Sequence, residues 1–230
     1  MDPTFDEFVL AAATADLSEE PAARADADCL EFRMDLAEDS LDALSAYDGD
    51  LPLIATNRAA WEGGEADDEN RLEDLAEAAR TEAVEAIDVE LASVLEGEAD
   101  GVLEAASAND VRAIVSAHDF EGTPSRPELV RTLTEAGKHG DVAKLAVTAE
   151  SRADTLTLLS ATEQLSRQGD RVATMAMGEV GRHTRAVAPV YGSRIGYAPV
   201  DPARATAPGQ YDLATLRELV GALGERKREN

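Results

Sequence analysis

Only three of the 21 cationic side chains are lysines, Lys138, Lys144 and Lys227, and one of them stands inside an apolar run. In Val142-Ala-Lys-Leu-Ala-Val147, strand alternation places Lys144 on a face with Val142 and Ala146. The other face, Ala143, Leu145 and Val147, is apolar too. Burial in such surroundings disfavours an ammonium and exposes a neutral amine, the nucleophile that attacks a carbonyl to form an imine. A lysine snorkelling from a strand end would carry the same local sequence. His118 ends the preceding apolar run, Ile114-Val-Ser-Ala-His118. An imidazole beside an imine-forming amine suits proton transfer near neutral pH. Adjacent strands would set the two side by side at one rim.

Further charges interrupt apolar runs. In Leu30-Glu-Phe-Arg-Met-Asp35, Leu30, Phe32 and Met34 share one face, and Glu31, Arg33 and Asp35 the other. Facing inward, Glu31 and Arg33 are costly unless paired or used; a structural ion pair is the plainer alternative. Asp88 and Glu90 alternate with Ile87, Val89 and Leu91 and read as supporting residues. Arg58 and Glu62 follow the third run, in Thr56-Asn-Arg-Ala-Ala-Trp-Glu-Gly-Gly-Glu65. Met175 and Met177 share a strand face and either line a pocket or fill the core. Arg185 and the segment Ala205-Thr-Ala-Pro-Gly-Gln210 fall in or after the last two loops. His139 and His183 lack any comparable context and read as surface. Zinc-ligand spacing of Cys and His, phosphate-binding glycine motifs and Gly-x-Ser-x-Gly are all missing.

These residues need a scaffold that brings distant runs together. Eight short apolar runs recur: Phe8–Ala13, Cys29–Met34, Leu53–Thr56, Ala86–Glu90, Ala113–Ala117, Val142–Val147, Val172–Ala176 and Ile195–Ala198. Helical spacing follows each. Ser125-Arg-Pro-Glu128 is a capping box ahead of Leu129, Val130 and Leu133, with Gly137 and Gly140 as the stop. Ser151-Arg-Ala-Asp154 opens a second helix, and Asp212 a third that Gly224 closes. Leu72, Leu75, Ala76, Ala79 and Ala83 form one face of another. Such alternation predicts an α/β fold with a parallel sheet. Eight units without a glycine-rich turn after the first strand favour a (β/α)8 TIM barrel over a doubly wound sheet, as one domain spanning 1–230.

Composition narrows the partners. With 47 acidic against 21 basic residues the formal net charge is -26, which repels nucleic acid and anionic lipid. The hydrophobic content of 44% argues against disorder. An acidic, lysine-poor surface suits a cytoplasm at very high salt, where self-repulsion is screened. A single cysteine, Cys29, excludes an intrachain disulfide framework. No signal peptide and no spanning apolar run are visible, so a cytoplasmic, soluble protein is expected.

Taken together these residues resemble the type I 3-dehydroquinate dehydratases of the shikimate pathway over almost the whole chain. The matching stretches are Glu31-Phe-Arg-Met-Asp35, Arg58 to Glu65, His118-Asp-Phe-Glu-Gly-Thr-Pro124, Lys144-Leu-Ala-Val147, Met175-Ala-Met177 and Ala207-Pro-Gly-Gln210. The resemblance implies a Schiff-base lysine at Lys144, an acid–base histidine at His118 and Glu62 orienting or tuning it. It also implies a substrate carboxylate held by Arg185, Thr206 and Gln210, and ring hydroxyls held by Glu31, Arg33 and Arg58. Homodimers and a reaction needing no metal or organic cofactor belong to the same implication. Three departures stand out: Thr206 where serine is common, Tyr197 where phenylalanine is common, and a short first strand without the usual lysine-rich opening. Two other readings share the sequence features. One is a class I aldolase-type barrel, which would want a backbone cradle for a sugar phosphate at the last loops. The other is a non-catalytic binding barrel, which leaves Lys144 unexplained.

Overall fold

The computed structural model describes residues 5–204 and 207–224. All eight apolar runs are strands: β1 Val9–Thr14, β2 Cys29–Arg33, β3 Leu53–Thr56, β4 Val84–Glu90, β5 Arg112–Asp119, β6 Val142–Thr148, β7 Val172–Met177 and β8 Ile195–Pro199. They pair in parallel in the order β7-β6-β5-β4-β3-β2-β1-β8. The ring is drawn shut where the Arg194 N–H donates to the Val172 carbonyl at 2.7 Å, just ahead of β8. Helices alternate with the strands, and the architecture is the (β/α)8 barrel.

Local chemistry accounts for where the helices begin. The Ser125 N–H donates to the Glu128 carboxylate at 3.0 Å, and the helix Arg126–Ala136 follows with Leu129 and Leu133 buried. Ser151 donates likewise to Asp154 at 2.7 Å, opening the helix Arg152–Gln168. Asp212 accepts from the Thr215 N–H at 2.9 Å at the head of Leu213–Gly224. One periodic face is shorter than expected. The helix Arg71–Ala78 stops before Ala83, which lies in the turn into β4, because the chain bends through Arg80–Glu82 to reach that strand.

Alternation along each strand sorts side chains to two destinations. Outward residues such as Leu30, Phe32, Ala55, Ile87, Val89, Val115 and Leu145 pack against the helices as the larger core. Inward residues fill the barrel, where Ala11, Cys29, Ile54, Ala86, Ile114, Val142 and Ile195 form an apolar cluster with Phe5. Toward the carboxyl ends the same faces turn polar, at Glu31, Thr56, Asp88, Ser116 and Lys144, all 5% exposed or less. That polar layer is where the fold places its chemistry. Among the described residues no helix is long and apolar enough to cross a membrane.

Candidate active site

Lys144 projects from the middle of β6 into a cavity at the carboxyl end of the barrel. Its Nζ lies 2.7 Å from Asp88 Oδ2 and 3.8 Å from Glu31 Oε1. The Tyr197 ring, from β8, stands 4.2 Å from the nitrogen. The run around Lys144 is apolar as expected, yet the amine itself meets carboxylates supplied by β2 and β4. Alternation within β6 carries no information about those strands, so the purely apolar surroundings inferred for Lys144 are corrected here.

Asp88 is itself held from two more sides. Arg58 Nη2 donates to it at 2.7 Å and the Ser116 hydroxyl at 2.6 Å. Burial pushes the Asp88 carboxyl up, but the neighbouring Arg58 and Lys144 charges outweigh it and hold it well below the usual carboxylate range. Arg58 continues the chain of pairs, donating to Glu90 at 3.0 Å and to Ser116 at 2.8 Å. Arg33 does not pair with Glu31. It makes a two-pronged bond to Asp35, at 2.8 and 2.6 Å, because the 3-10 turn Met34–Leu36 swings that carboxylate back over the strand end. Glu31 instead accepts from the Thr56 hydroxyl at 3.2 Å.

His118 sits on β5 beside β6, but register places Ser116, not His118, directly opposite Lys144. The imidazole therefore stands two residues, about 7 Å, farther toward the mouth. Glu62 Oε1 accepts from the His118 backbone N–H at 2.8 Å and lies 3.2 Å from its Nδ1. Burial, helped by the Arg58 and Lys144 charges, drives the His118 pKa well below its ordinary value, so the ring is a neutral base at pH 7. Burial pushes the Glu62 carboxyl up to about 7 against the pull of Arg58. A proton on Nδ1 directed at the Glu62 carboxylate leaves Nε2 with its lone pair for a substrate. The loop carrying Glu62 depends on glycine. Gly63 has φ +80, and a Cβ there would meet the Phe120 ring at 2.4 Å, while one at Gly64 would meet the Arg58 carbonyl at 2.1 Å. Phe120 in turn stacks on His118, with centroids 5.9 Å apart.

The opposite wall holds Arg185, from the short helix Thr184–Val187. It is 4% exposed and has no carboxylate partner among the described residues. Among the described residues its Nη2 reaches only the Pro208 carbonyl, at 3.5 Å, and its Nε has no partner. Burial alone lowers its pKa to about 10. A buried guanidinium without an anion is a site for one. Gln210 lines the same end, its Oε1 accepting from the Ala207 N–H at 3.2 Å. Met175 and Met177 both line the cavity and belong to the interior cluster. Thr206 lies outside the described residues. His139 and His183 are on the surface.

The family model described as type I 3-dehydroquinase matches residues 9–227. The chain belongs to the type I 3-dehydroquinase family. It is 58% identical over 224 residues to the 3-dehydroquinate dehydratase of Haloarcula marismortui, covering 95% of this chain and 97% of that one. The 3-dehydroquinate dehydratase of Halobacterium salinarum is 52% identical, covering 95% of this chain and 99% of that one. Among solved structures, the 3-dehydroquinate dehydratase of Geobacillus kaustophilus superposes with a TM-score of 0.84 at 29% identity, covering 97% of this chain and 93% of that one. The acidic, lysine-poor composition accords with the haloarchaeal relatives. Within this family member, Glu31, Arg33, Arg58, Glu62, His118, Lys144, Arg185 and Gln210 all face one cavity. Sequence reasoning did not find Asp88 as the partner of Lys144, Ser116 beside it, or Asp35 as the partner of Arg33. Ser116 carried a signal, since it shares the inward face of β5 with His118.

Proposed function

We propose that this chain converts 3-dehydroquinate to 3-dehydroshikimate and water through an imine on Lys144. The supporting observation is a single cavity with Lys144 on its floor, the His118–Glu62 pair above it and, at its far end, Arg185 without a carboxylate partner among the described residues. Lys144, freed of its proton, attacks the C3 ketone, and loss of that oxygen as water leaves an iminium. The iminium draws electrons from the adjacent C2, so that His118 Nε2 can remove the C2 proton. The electron pair left behind expels the C1 hydroxyl, which takes the proton back from His118 and departs as water. Addition of water to the iminium releases the product and restores the amine, so one water is lost overall.

Arg185 and Gln210, with Thr206, hold the substrate carboxylate. Glu31, Arg33 and Arg58 face the ring hydroxyls. Glu62 holds the His118 ring in the orientation that presents Nε2. Asp88 balances the charge that resides on Nζ in both ammonium and iminium. We further read residues 1–230 as one barrel domain, working as a homodimer in a salt-rich cytoplasm with the small molecule as its partner. The test is an ultraviolet assay for the conjugated enone formed from 3-dehydroquinate, joined to borohydride reduction during turnover. Reduction should attach the substrate skeleton to Lys144 alone. No enone, or a label on Lys138 or Lys227, would overturn the reading.

A further inference from the structure

A buried arginine outside the cavity bonds toward the loop that carries Glu62. Arg71 opens the helix Arg71–Ala78 on the outer side of the barrel, yet it is only 2% exposed. Its Nη1 donates to Glu90 Oε2 at 2.8 Å and its Nη2 to the Ser93 hydroxyl at 2.8 Å. Its carbonyl accepts from the Asn57 side chain at 3.0 Å, and its guanidinium lies 5.6 Å from the Trp61 ring. The second oxygen of Glu90 accepts from Arg58 at 3.0 Å and from the Ala59 N–H at 3.1 Å. The contacts to Asn57 and Trp61 end on the segment 57–62, and the one to Glu90 is a single step from it, while Ser93 anchors the guanidinium from the other side.

That segment carries two cavity residues, Arg58 and Glu62, and follows β3 without a long element of its own. The 3-10 turn Ala60–Glu62 and a single backbone bridge between Ala59 and Ala66 shape its end. Backbone bonds of so short a loop set its path, and side-chain bonds from neighbouring elements add the stiffness that keeps a carboxylate in place against an imidazole. Glu90 grips the segment at Ala59, and Arg71 holds Glu90, Asn57 and Trp61 at once. We propose that Arg71 is a positioning residue for the reaction, clamping the 57–62 segment so that Glu62 stays against His118. The inference rests on the role given above to Glu62.

The charged and titratable groups facing Glu62 are Arg58 from its own segment, Asp88 and Glu90 from β4, and His118 from β5. Loosening the clamp lets Glu62 swing from this enclosed place toward water, where its ionisation returns toward that of an ordinary carboxylate. The wild-type rate should rise with pH through about 7, as Glu62 becomes the carboxylate that orients His118. In Arg71→Met that limb should move down by at least about one pH unit, with kcat lowered by roughly 10- to 100-fold. Arg71→Lys keeps the charge on Glu90 and should recover part of both effects.

Because Arg71→Met also strips a partner from buried Glu90 and can cost the fold, Ser93→Ala and Trp61→Leu serve as companions. Each removes one hold on Arg71 and leaves its charge in place, and each should shift the limb in the same direction by less. Borohydride labelling of Lys144 should survive in all four variants. A limb unmoved in the variants that fold, whatever their kcat, overturns the clamp and leaves the function proposed above intact. A wild-type limb that persists in Glu62→Gln would instead remove Glu62 from its role and the clamp with it.

Discussion

Lys144 and Arg185 are almost equally enclosed, 5% and 4% exposed, yet they keep different company. Lys144 touches Asp88 and Glu31, and Asp88 is further braced by Arg58 and Ser116. Arg185 has no carboxylate beside it among the described residues, and part of its guanidinium is unbonded. A buried charge with its partner is electrostatically settled, and a buried charge without one is held at a cost by the rest of the fold. The two ends therefore suit different work. The floor must stabilise a positive nitrogen through a bond-making cycle, so its counter-ion is built in. The far end must bind an anion that arrives with the substrate, so its counter-ion is left out.

Removing the two cations should give opposite results for stability. In Lys144→Met the covalent route is gone, and turnover should fall below detection, well beyond the roughly 100-fold or more expected for His118→Ala, which still forms the imine. The same change leaves Asp88 one partner short and should destabilise the protein by up to about 3 kcal/mol, measured by thermal unfolding. Arg185→Met should do the reverse to the free protein, raising its midpoint, because an unpaired buried charge has been replaced by apolar volume. Its effect on catalysis should fall mainly on kcat/KM, roughly 10- to 100-fold, through loss of charge-assisted bonds to the carboxylate. An Arg185→Met protein that is less stable than wild type would break the comparison, since it would reveal a partner for that guanidinium.

Sequence alternation reached the faces of the strands but not the pairs made between them. Lys144, His118, Glu31 and Arg33 were legible as inward or rim residues, because a charge in an apolar run has few places to go; Arg58 and Arg185 were legible only as residues of the loops at the strands' carboxyl ends. The strands were legible to within a residue or two at most ends, since each is a short run bounded by polar turns. Asp88 was legible as inward too, yet its bond to Lys144 crosses from β4 over β5 to β6. That contact depends on how tightly the sheet curls, which no local pattern encodes. Arg71 was hidden for a different reason. An arginine in the first turn of an amphipathic helix reads as solvated, and only docking of that helix brings it onto Glu90. The plainer alternative of a Glu31–Arg33 pair also failed on local geometry, since the turn after β2 offers Arg33 the Asp35 carboxylate.

Surface charge and site charge should also separate in their response to salt. The net charge of -26 repels itself over about 30 Å at 0.01 M salt but only about 3 Å at 1 M. The thermal midpoint should therefore climb steeply with potassium chloride and then level off, while the enclosed pairs at Asp88 and Glu90 change little. Replacing exposed Glu69, Glu73 and Glu77 by glutamine should flatten that climb without altering kcat. A midpoint flat from low to molar salt would show that the acidity answers to something other than salt.

The smallest effect belongs to Tyr197, which faces the same nitrogen as Asp88 but through its ring. The residue is 4% exposed, and its hydroxyl is buried without a hydrogen-bond partner among the described residues. Burial pushes its pKa well above the ordinary value, helped by the Glu31 and Asp88 charges, so the group stays a neutral phenol. What the ring offers Lys144 at 4.2 Å is its face, and phenylalanine offers a comparable one. What the hydroxyl adds is an unsatisfied polar atom, whose desolvation costs about 1–3 kcal/mol when no bond compensates it. Tyr197→Phe should thus stabilise the free protein by about 1 kcal/mol, raising the midpoint by about 2–4 °C for a chain of this length. Activity should stay within about two-fold of wild type, because the face toward Nζ is kept. Tyr197→Leu discards the face and should affect activity more than Tyr197→Phe does. If Tyr197→Phe lowers the midpoint instead, the hydroxyl has a bonding partner in solution, and the floor of the cavity is wetter than its enclosed side chains imply.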